Sequence, residues 1–130
     1  MIVVDASTLV EVLLESDRAG AARAALGRPG CALHAPHLLD IEITQALRCY
    51  VSIGQVEARR AQDALRDLSR LPLRRHAHGF LLPRVWELRN NLTAYDAIYV
   101  ALAEALDATL LTSDARLAAA PGARARIELV

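Results

Sequence analysis

The run Ala108-Thr109-Leu110-Leu111-Thr112 constrains the fold more than any other stretch of the chain. It is too short for a helix and too continuously apolar for a strand with one wet face, so it reads as a strand covered on both sides. Such a strand needs helices above and below it. The residues before it supply one: Thr93 caps helix N-termini well, and Tyr95, Tyr99, Leu102 and Leu106 repeat at the spacing of a buried helical stripe. Asp107 makes the turn between helix and strand. Two acids flank this unit. Asp96 falls in the helix's first turn, where the dipole favours its charge, and Asp114 falls just past the strand's C-terminal end, where open parallel sheets bind ligands. Each also has an ordinary reading, Asp96 as part of a capping pair with Thr93 and Asp114 as a cap, with Ser113, for residues 115–120.

The N-terminus repeats the pattern. Ile2-Val3-Val4 is a β-branched strand ending directly in Asp5, and a helix is predicted from Ser7 to Leu14. A strand so placed is expected at the centre of the sheet, and a carboxylate sheltered at its end needs a cation or hydrogen bonds. Asp17 to Leu26 reads as an Ala-rich helix, closed by Gly27, Pro29 and Gly30, and residues 31–35 read as a second strand. Pro36 opens a long helix from about His37 to Ile53, ended by Gly54. On it Leu38, Leu39, Ile43, Leu47 and Tyr50 face the core and Asp40, Thr44 and Arg48 form a polar row, while Glu42 shares a largely apolar strip with Leu38, Ala46 and Cys49. Glu42 is either a rim residue with its head in water or an acid facing the site. Gln55 to Arg70 is a charged amphipathic helix, residues 71–76 a strand in which Pro72 is tolerable only near the start or at an edge, and residues 126–130 a last strand.

This order predicts a three-layer α/β/α domain spanning residues 1–130, with a central parallel sheet of about five short strands. A hydrophobic content of 54% excludes disorder. The formal net charge is zero, so a polyanionic partner must be met by a local patch. All 15 basic residues are Arg, which removes Schiff-base and P-loop lysine chemistry but leaves bidentate phosphate binding. Arg84, Arg89 and Arg116 are the candidates to hold substrate phosphates, with ordinary surface arginines the competing reading. Cys31 and Cys49 have neither metal-ligand nor redox-motif spacing, the N-terminus reads as no signal peptide, and no apolar run approaches the ~18 residues that span a membrane. A cytoplasmic location is expected. His34 with His37, and His76 with His78, lack the spacing and the Cys partners of a zinc site.

Brought to one edge, Asp5, Glu42, Asp96 and Asp114 would raise one another's pKa unless a cation neutralised them, and an all-oxygen set selects Mg²⁺ or Mn²⁺ over zinc. A hard cation with bound water and no protein nucleophile suits phosphodiester hydrolysis. VVDAS at 3–7, PHLLDIEITQALR at 36–48, LTAYDAIYVALAEAL at 92–106 and LLTSDARL at 110–117, in this order, resemble the PIN-domain ribonucleases, specifically the VapC-type toxins of bacterial toxin–antitoxin pairs. The resemblance covers nearly the whole chain. It implies an acid quartet at Asp5, Glu42, Asp96 and Asp114, with Asp5 and Asp96 as direct ligands of Mg²⁺ or Mn²⁺. It further implies supporting hydroxyls at Thr112 and Ser7, endonucleolytic cleavage of RNA, a homodimer, and inhibition by a cognate VapB-like antitoxin. Gln45 stands where many relatives of this kind carry Asn.

Two other readings compete. Asp5-Ala6-Ser7-Thr8-Leu9 follows a first strand as the nucleophile loop of haloacid-dehalogenase-like phosphatases does, although Ser7 replaces that loop's second Asp and the chain has no Lys. The other is a non-catalytic module that only binds a partner.

Overall fold

The structure is a computed structural model describing residues 1–130. Five parallel strands, β1 (Ile2–Val4), β2 (Leu33–Pro36), β3 (Leu73–His76), β4 (Thr109–Thr112) and β5 (Ile127–Leu129), form one sheet in the order β3-β2-β1-β4-β5. The β-branched N-terminal run is central: Val3 and Val4 are fully buried, and β1 pairs with β2 on one side and β4 on the other. Each such Val contributes roughly 1.5–3 kcal/mol of burial. Helices α1 (Ala6–Leu13), α2 (Ala19–Leu26), α3 (Leu38–Ser52), α4 (Ala58–Arg70), α5 (Leu82–Glu87), α6 (Ala94–Ala105) and α7 (Ala115–Ala118) fill the connections. A 3₁₀ turn at Gly79–Leu81 leads into α5. No helix is long and apolar enough to cross a membrane.

The expected strands and helices are present, with shifted ends. Pro72, which has no N–H to give a ladder, lies just before β3, and β3 is an edge strand. Gly54 ends α3 with φ of 75°, and Asp107 makes the α6–β4 turn with φ of 49°, the left-handed region that Gly favours and Asp tolerates. The stripe on α6 is corrected at one position: Tyr99 and Leu102 are buried, but Tyr95 is 61% exposed. It sits in the first helical turn, beyond the layer that covers the rest of α6.

The histidines also pair differently from their order in the sequence. His34 is buried, and its Nδ1 lies 2.8 Å from His76 Nε2 across β2 and β3. One proton serves both rings. Burial, then the neighbouring ring and Arg74, pull His34 below the usual imidazole range, and burial with Arg74 and His37 does the same to His76. No third ligand joins them, so the pair is an inter-strand hydrogen bond.

Topology fixes where a site forms. The chain moves outward from β1 to β2 to β3, then crosses back to place β4 on the other side of β1. The order reverses between β1 and β4, and such a switch point opens a crevice at the strands' carboxyl ends. Asp5 leaves β1 there, and Asp114 follows β4 by two residues. α3 follows β2 and so begins at that same edge, whereas α6 precedes β4, runs opposite to it, and also has its N-terminus there. All four sequence-predicted acids therefore belong to one edge.

Candidate active site

Asp5 is the most enclosed of the four, 7% exposed at the head of α1. Two hydroxyls hold it: Ser7 Oγ donates to Asp5 Oδ2 at 2.6 Å, and Thr112 Oγ1 donates to the same oxygen at 2.9 Å. Each hydroxyl also accepts a backbone amide, Ser7 Oγ from Ser113 and Thr112 Oγ1 from Asp114. An amide can only donate, so the single hydroxyl proton in each case is directed at Asp5. Oδ2 thereby takes both hydroxyl donors, and the Ala6 amide also favours the charged carboxylate. Burial raises the Asp5 pKa, the two hydroxyls and the Ala6 amide oppose that rise, and the Asp96 charge adds to it.

Glu42 stands half-buried on α3 and accepts a hydrogen bond from the Tyr99 hydroxyl. Burial pushes its carboxyl up to about 7, against the lowering effect of Tyr99, with Asp5 and Asp96 adding repulsion. Tyr99 is fully buried on α6. Burial and the neighbouring Glu42 raise its phenol far above the ordinary range, so it is a fixed donor. Asp96 is bound back to its own cap: Thr93 Oγ1 accepts from the Asp96 amide at 3.1 Å and donates to Asp96 Oδ2 at 3.0 Å. The capping reading and the site reading of Asp96 thus coexist, because the second carboxylate oxygen remains uncommitted.

Asp114 caps α7, accepting from the Arg116 amide at 2.8 Å, and its Oδ2 lies 3.6 Å from the Arg116 guanidinium. Asp96 and Asp114 line one pocket of about 230 Å³ with Asn91, Leu92, Thr93, Arg116 and Leu117. The four acids face one edge, but no three acidic, histidine or cysteine side chains close into a ready metal cage. The expected common coordination sphere is corrected to a looser arrangement, in which each acid is tied to a separate partner.

The three candidate arginines separate. Arg116 lines the pocket with its side chain 93% exposed. Arg84 does not serve as a free phosphate ligand: its Nε and Nη2 meet both oxygens of Glu104 at 2.7 and 3.0 Å, Nη1 meets Glu87 and Nη2 the Gly122 carbonyl. Its donors are spent holding α5 to α6. Arg89 stacks over the Trp86 ring at 4.8 Å and donates to the Trp86 carbonyl. It is not part of the pocket lining. Gln45 is exposed, its amide against Cys49 Sγ at 3.5 Å.

Tyr99 is the partner of Glu42 that periodicity concealed. Its spacing marks it as core, and the ring is core. The signal was chemical, since a buried tyrosine hydroxyl needs an acceptor and Asp96 lies one helical turn away.

A sequence model described as the PIN domain matches residues 2–123. The chain belongs to the PIN-domain family. Within that family it is 43% identical over 129 residues to ribonuclease VapC1 of Mycobacterium tuberculosis, a match covering 98% of this chain and 96% of that protein. Among solved structures, VapC20 of Mycobacterium tuberculosis superposes with a TM-score of 0.72 at 16% identity, over 92% of this chain and 94% of VapC20. VapBC2 from Rickettsia felis, solved bound to a DNA fragment from its promoter, superposes with a TM-score of 0.71 at 16% identity over 99% and 98%. At those identities the two structures establish the PIN fold. A haloacid-dehalogenase-like assignment is excluded by the family match.

Proposed function

We propose that this PIN domain is a divalent-metal-dependent endoribonuclease and the toxin of a VapBC-type toxin–antitoxin pair. The observation that carries the reading is the company kept by Asp5, Glu42 and Asp96. Burial does most to raise the pKa of Asp5 and Glu42 and the neighbouring carboxylates add to it, yet none of the three has an ion-pair partner in a chain with 15 arginines. Three carboxylates that repel one another and offer only oxygen fit a hard cation. Mg²⁺ takes one or two protein carboxylates and keeps several waters, so a loose acid set suits it better than a closed cage. Asp5 and Asp96 are the proposed direct ligands, with Glu42 and Asp114 orienting water around them.

Bound Mg²⁺ or Mn²⁺ supplies a Lewis acid and a water activated for attack on the phosphodiester. The chain's own residues do the rest. Ser7 and Thr112 hold the Asp5 carboxylate in place through Oδ2, Thr93 holds Asp96 likewise, and Asp114 borders the pocket where the scissile phosphate would enter. Arg116, exposed at the rim beside Asp114, is the proposed phosphate contact.

The likeness to VapC1 supports the ribonuclease reading and the likeness to VapBC2 supports a VapB-like antitoxin partner. We place the protein in the cytoplasm, where an RNA substrate is met. Phe80, Leu82, Trp86 and Tyr95 are exposed around α5 and the start of α6 and provide a face for a second copy of the chain in the proposed homodimer. Asp96→Asn should reduce cleavage of an RNA substrate in Mg²⁺ by at least about 10³-fold, corresponding to about 4 kcal/mol of transition-state stabilisation. Thermal unfolding should be near that of the parent chain. A folded Asp96→Asn protein cleaving at the parental rate would refute the assignment, and so would a binding-only module.

A further inference from the structure

Elsewhere in this chain arginine fixes three carboxylates, Asp40 by Arg75, Glu104 by Arg84 and Glu128 by Arg28, while Glu11 takes a hydroxyl from Ser16. At the acid edge Asp114 has Arg116 within 3.6 Å, but the side-chain donors to the other three acids are hydroxyls. Ser7 and Thr112 serve Asp5, Thr93 serves Asp96, and Tyr99 serves Glu42. The difference has a physical consequence. A guanidinium would cancel the negative field that attracts a cation, whereas a neutral hydroxyl fills one lone pair and leaves the charge intact. Each of these three acids has one oxygen tied by hydroxyl donors, and in Glu42 and Asp96 the other oxygen receives no side-chain hydrogen bond.

Tyr99 stands apart in this set because it reaches Glu42 from inside the core. Its ring is packed among the fully buried side chains of α6, with no exposed surface, and its hydroxyl crosses from α6 to α3 to meet Glu42 Oε2. A phenylalanine would fill the same volume. The oxygen therefore adds a polar group to a site that packing alone would leave apolar, and its hydrogen-bond partner is a carboxylate of the acid edge. A glutamate has three side-chain torsions, and the donor on Oε2 restricts them while Oε1 receives no side-chain hydrogen bond.

We propose that Tyr99 is a positioning residue of the nuclease site, which commits Glu42 Oε2 and so presents Oε1 to the bound divalent ion or its waters. The proposal rests on the metal-dependent reading above and concerns a residue that touches neither metal nor RNA. Outer-shell partners of this kind are typically worth 10–100-fold in metal affinity.

The test uses the full chain and Mn²⁺ alone as probe, titrated by calorimetry into the parent, Tyr99→Phe, Glu42→Gln and the double variant. Tyr99→Phe should retain a cooperative thermal transition and weaken Mn²⁺ binding by about tenfold or more. In the Glu42→Gln background the same substitution should change the affinity by less than about twofold, because its effect runs through the carboxylate. Parental Mn²⁺ affinity in Tyr99→Phe overturns the proposal, as does an equal loss in both backgrounds, which would mark a packing effect. A parent chain that binds no Mn²⁺ would instead remove the metal-dependent reading itself, and this inference with it. Should Tyr99→Phe fail to fold, Tyr99 is a packing residue first and the proposal is overturned.

Discussion

Replacing Asp5 by Asn is expected to abolish RNA cleavage and, in the absence of divalent ions, to make the protein more stable. The two effects share one cause. Asp5 is 7% exposed, its pKa is raised by burial, and the Asp96 charge opposes its own. Asparagine keeps a carbonyl oxygen for Ser7 and Thr112 to donate to, and it drops the charge. A group whose folded-state pKa is raised destabilises the fold once it must ionise, so stability falls as pH rises from the ordinary value of 3.8 through the raised one. The advantage of Asn should therefore be full at neutral pH and fade below about pH 4. We expect about 1 kcal/mol, or roughly 3–5 °C in the unfolding midpoint, for a chain of this size. Cleavage should fall by at least about 10³-fold. Differential scanning calorimetry at pH 4 and pH 7 with chelator present, beside an RNA cleavage assay in Mg²⁺, checks both. An Asp5→Asn protein less stable than the parent at pH 7 would show that Asp5 is a structural acid.

Arg84→Ala should have the opposite signature, a large loss of stability with cleavage per folded molecule unchanged. Arg84 meets Glu104 bidentately and also binds Glu87 and the Gly122 carbonyl. Glu104 in turn accepts the Arg124 amide at 2.8 Å. Burial pushes the Glu104 carboxyl up, but its hydrogen bonds with Arg84 and the Arg124 amide override that and hold it below the ordinary range. With side chains 19% and 13% exposed, this pair is neither fully buried nor a surface contact. Breaking a fully buried pair costs about 3–5 kcal/mol by leaving a charge uncompensated, and partial exposure lowers that to about 2–4 kcal/mol here. The midpoint should drop by roughly 10 °C. Arg84→Lys should recover less than half, because an ammonium cannot span both carboxylate oxygens. A stable Arg84→Ala protein with weakened RNA binding would restore Arg84 to the phosphate-binding role that its position in the sequence suggested.

That contrast shows what the sequence carried and what it withheld. Asp5 and Asp114 were legible because a short apolar run ending in an acid marks a strand end, and parallel topology fixes which edge such ends share. Asp96 was legible from its place one turn into a capped helix. Arg84 was misplaced because its partner lies 20 residues downstream on a different helix, a pairing that no local pattern encodes. Tyr95 and Tyr99 share one periodic stripe, yet the first projects past the covering layer and the second is enclosed. Period gives a direction around the helix and says nothing about where along the axis the neighbouring layer stops. Strand ends moved by a residue or two for a similar reason, since the ladder partner, not the residue, decides where pairing stops. The separate hydroxyl tethers were invisible because a hydroxyl's partner is set by three-dimensional proximity.

The claim on which all of this stands is that the acid edge exists to hold a divalent ion, and calorimetric titration of the chain with Mn²⁺ measures it directly. The account predicts saturable heat that Asp5→Asn and Asp96→Asn each remove, and an affinity that rises between pH 6 and pH 8 as Glu42, with its pKa pushed up to about 7, gives up its proton. Absence of saturable binding, or binding that both substitutions leave intact, would contradict it.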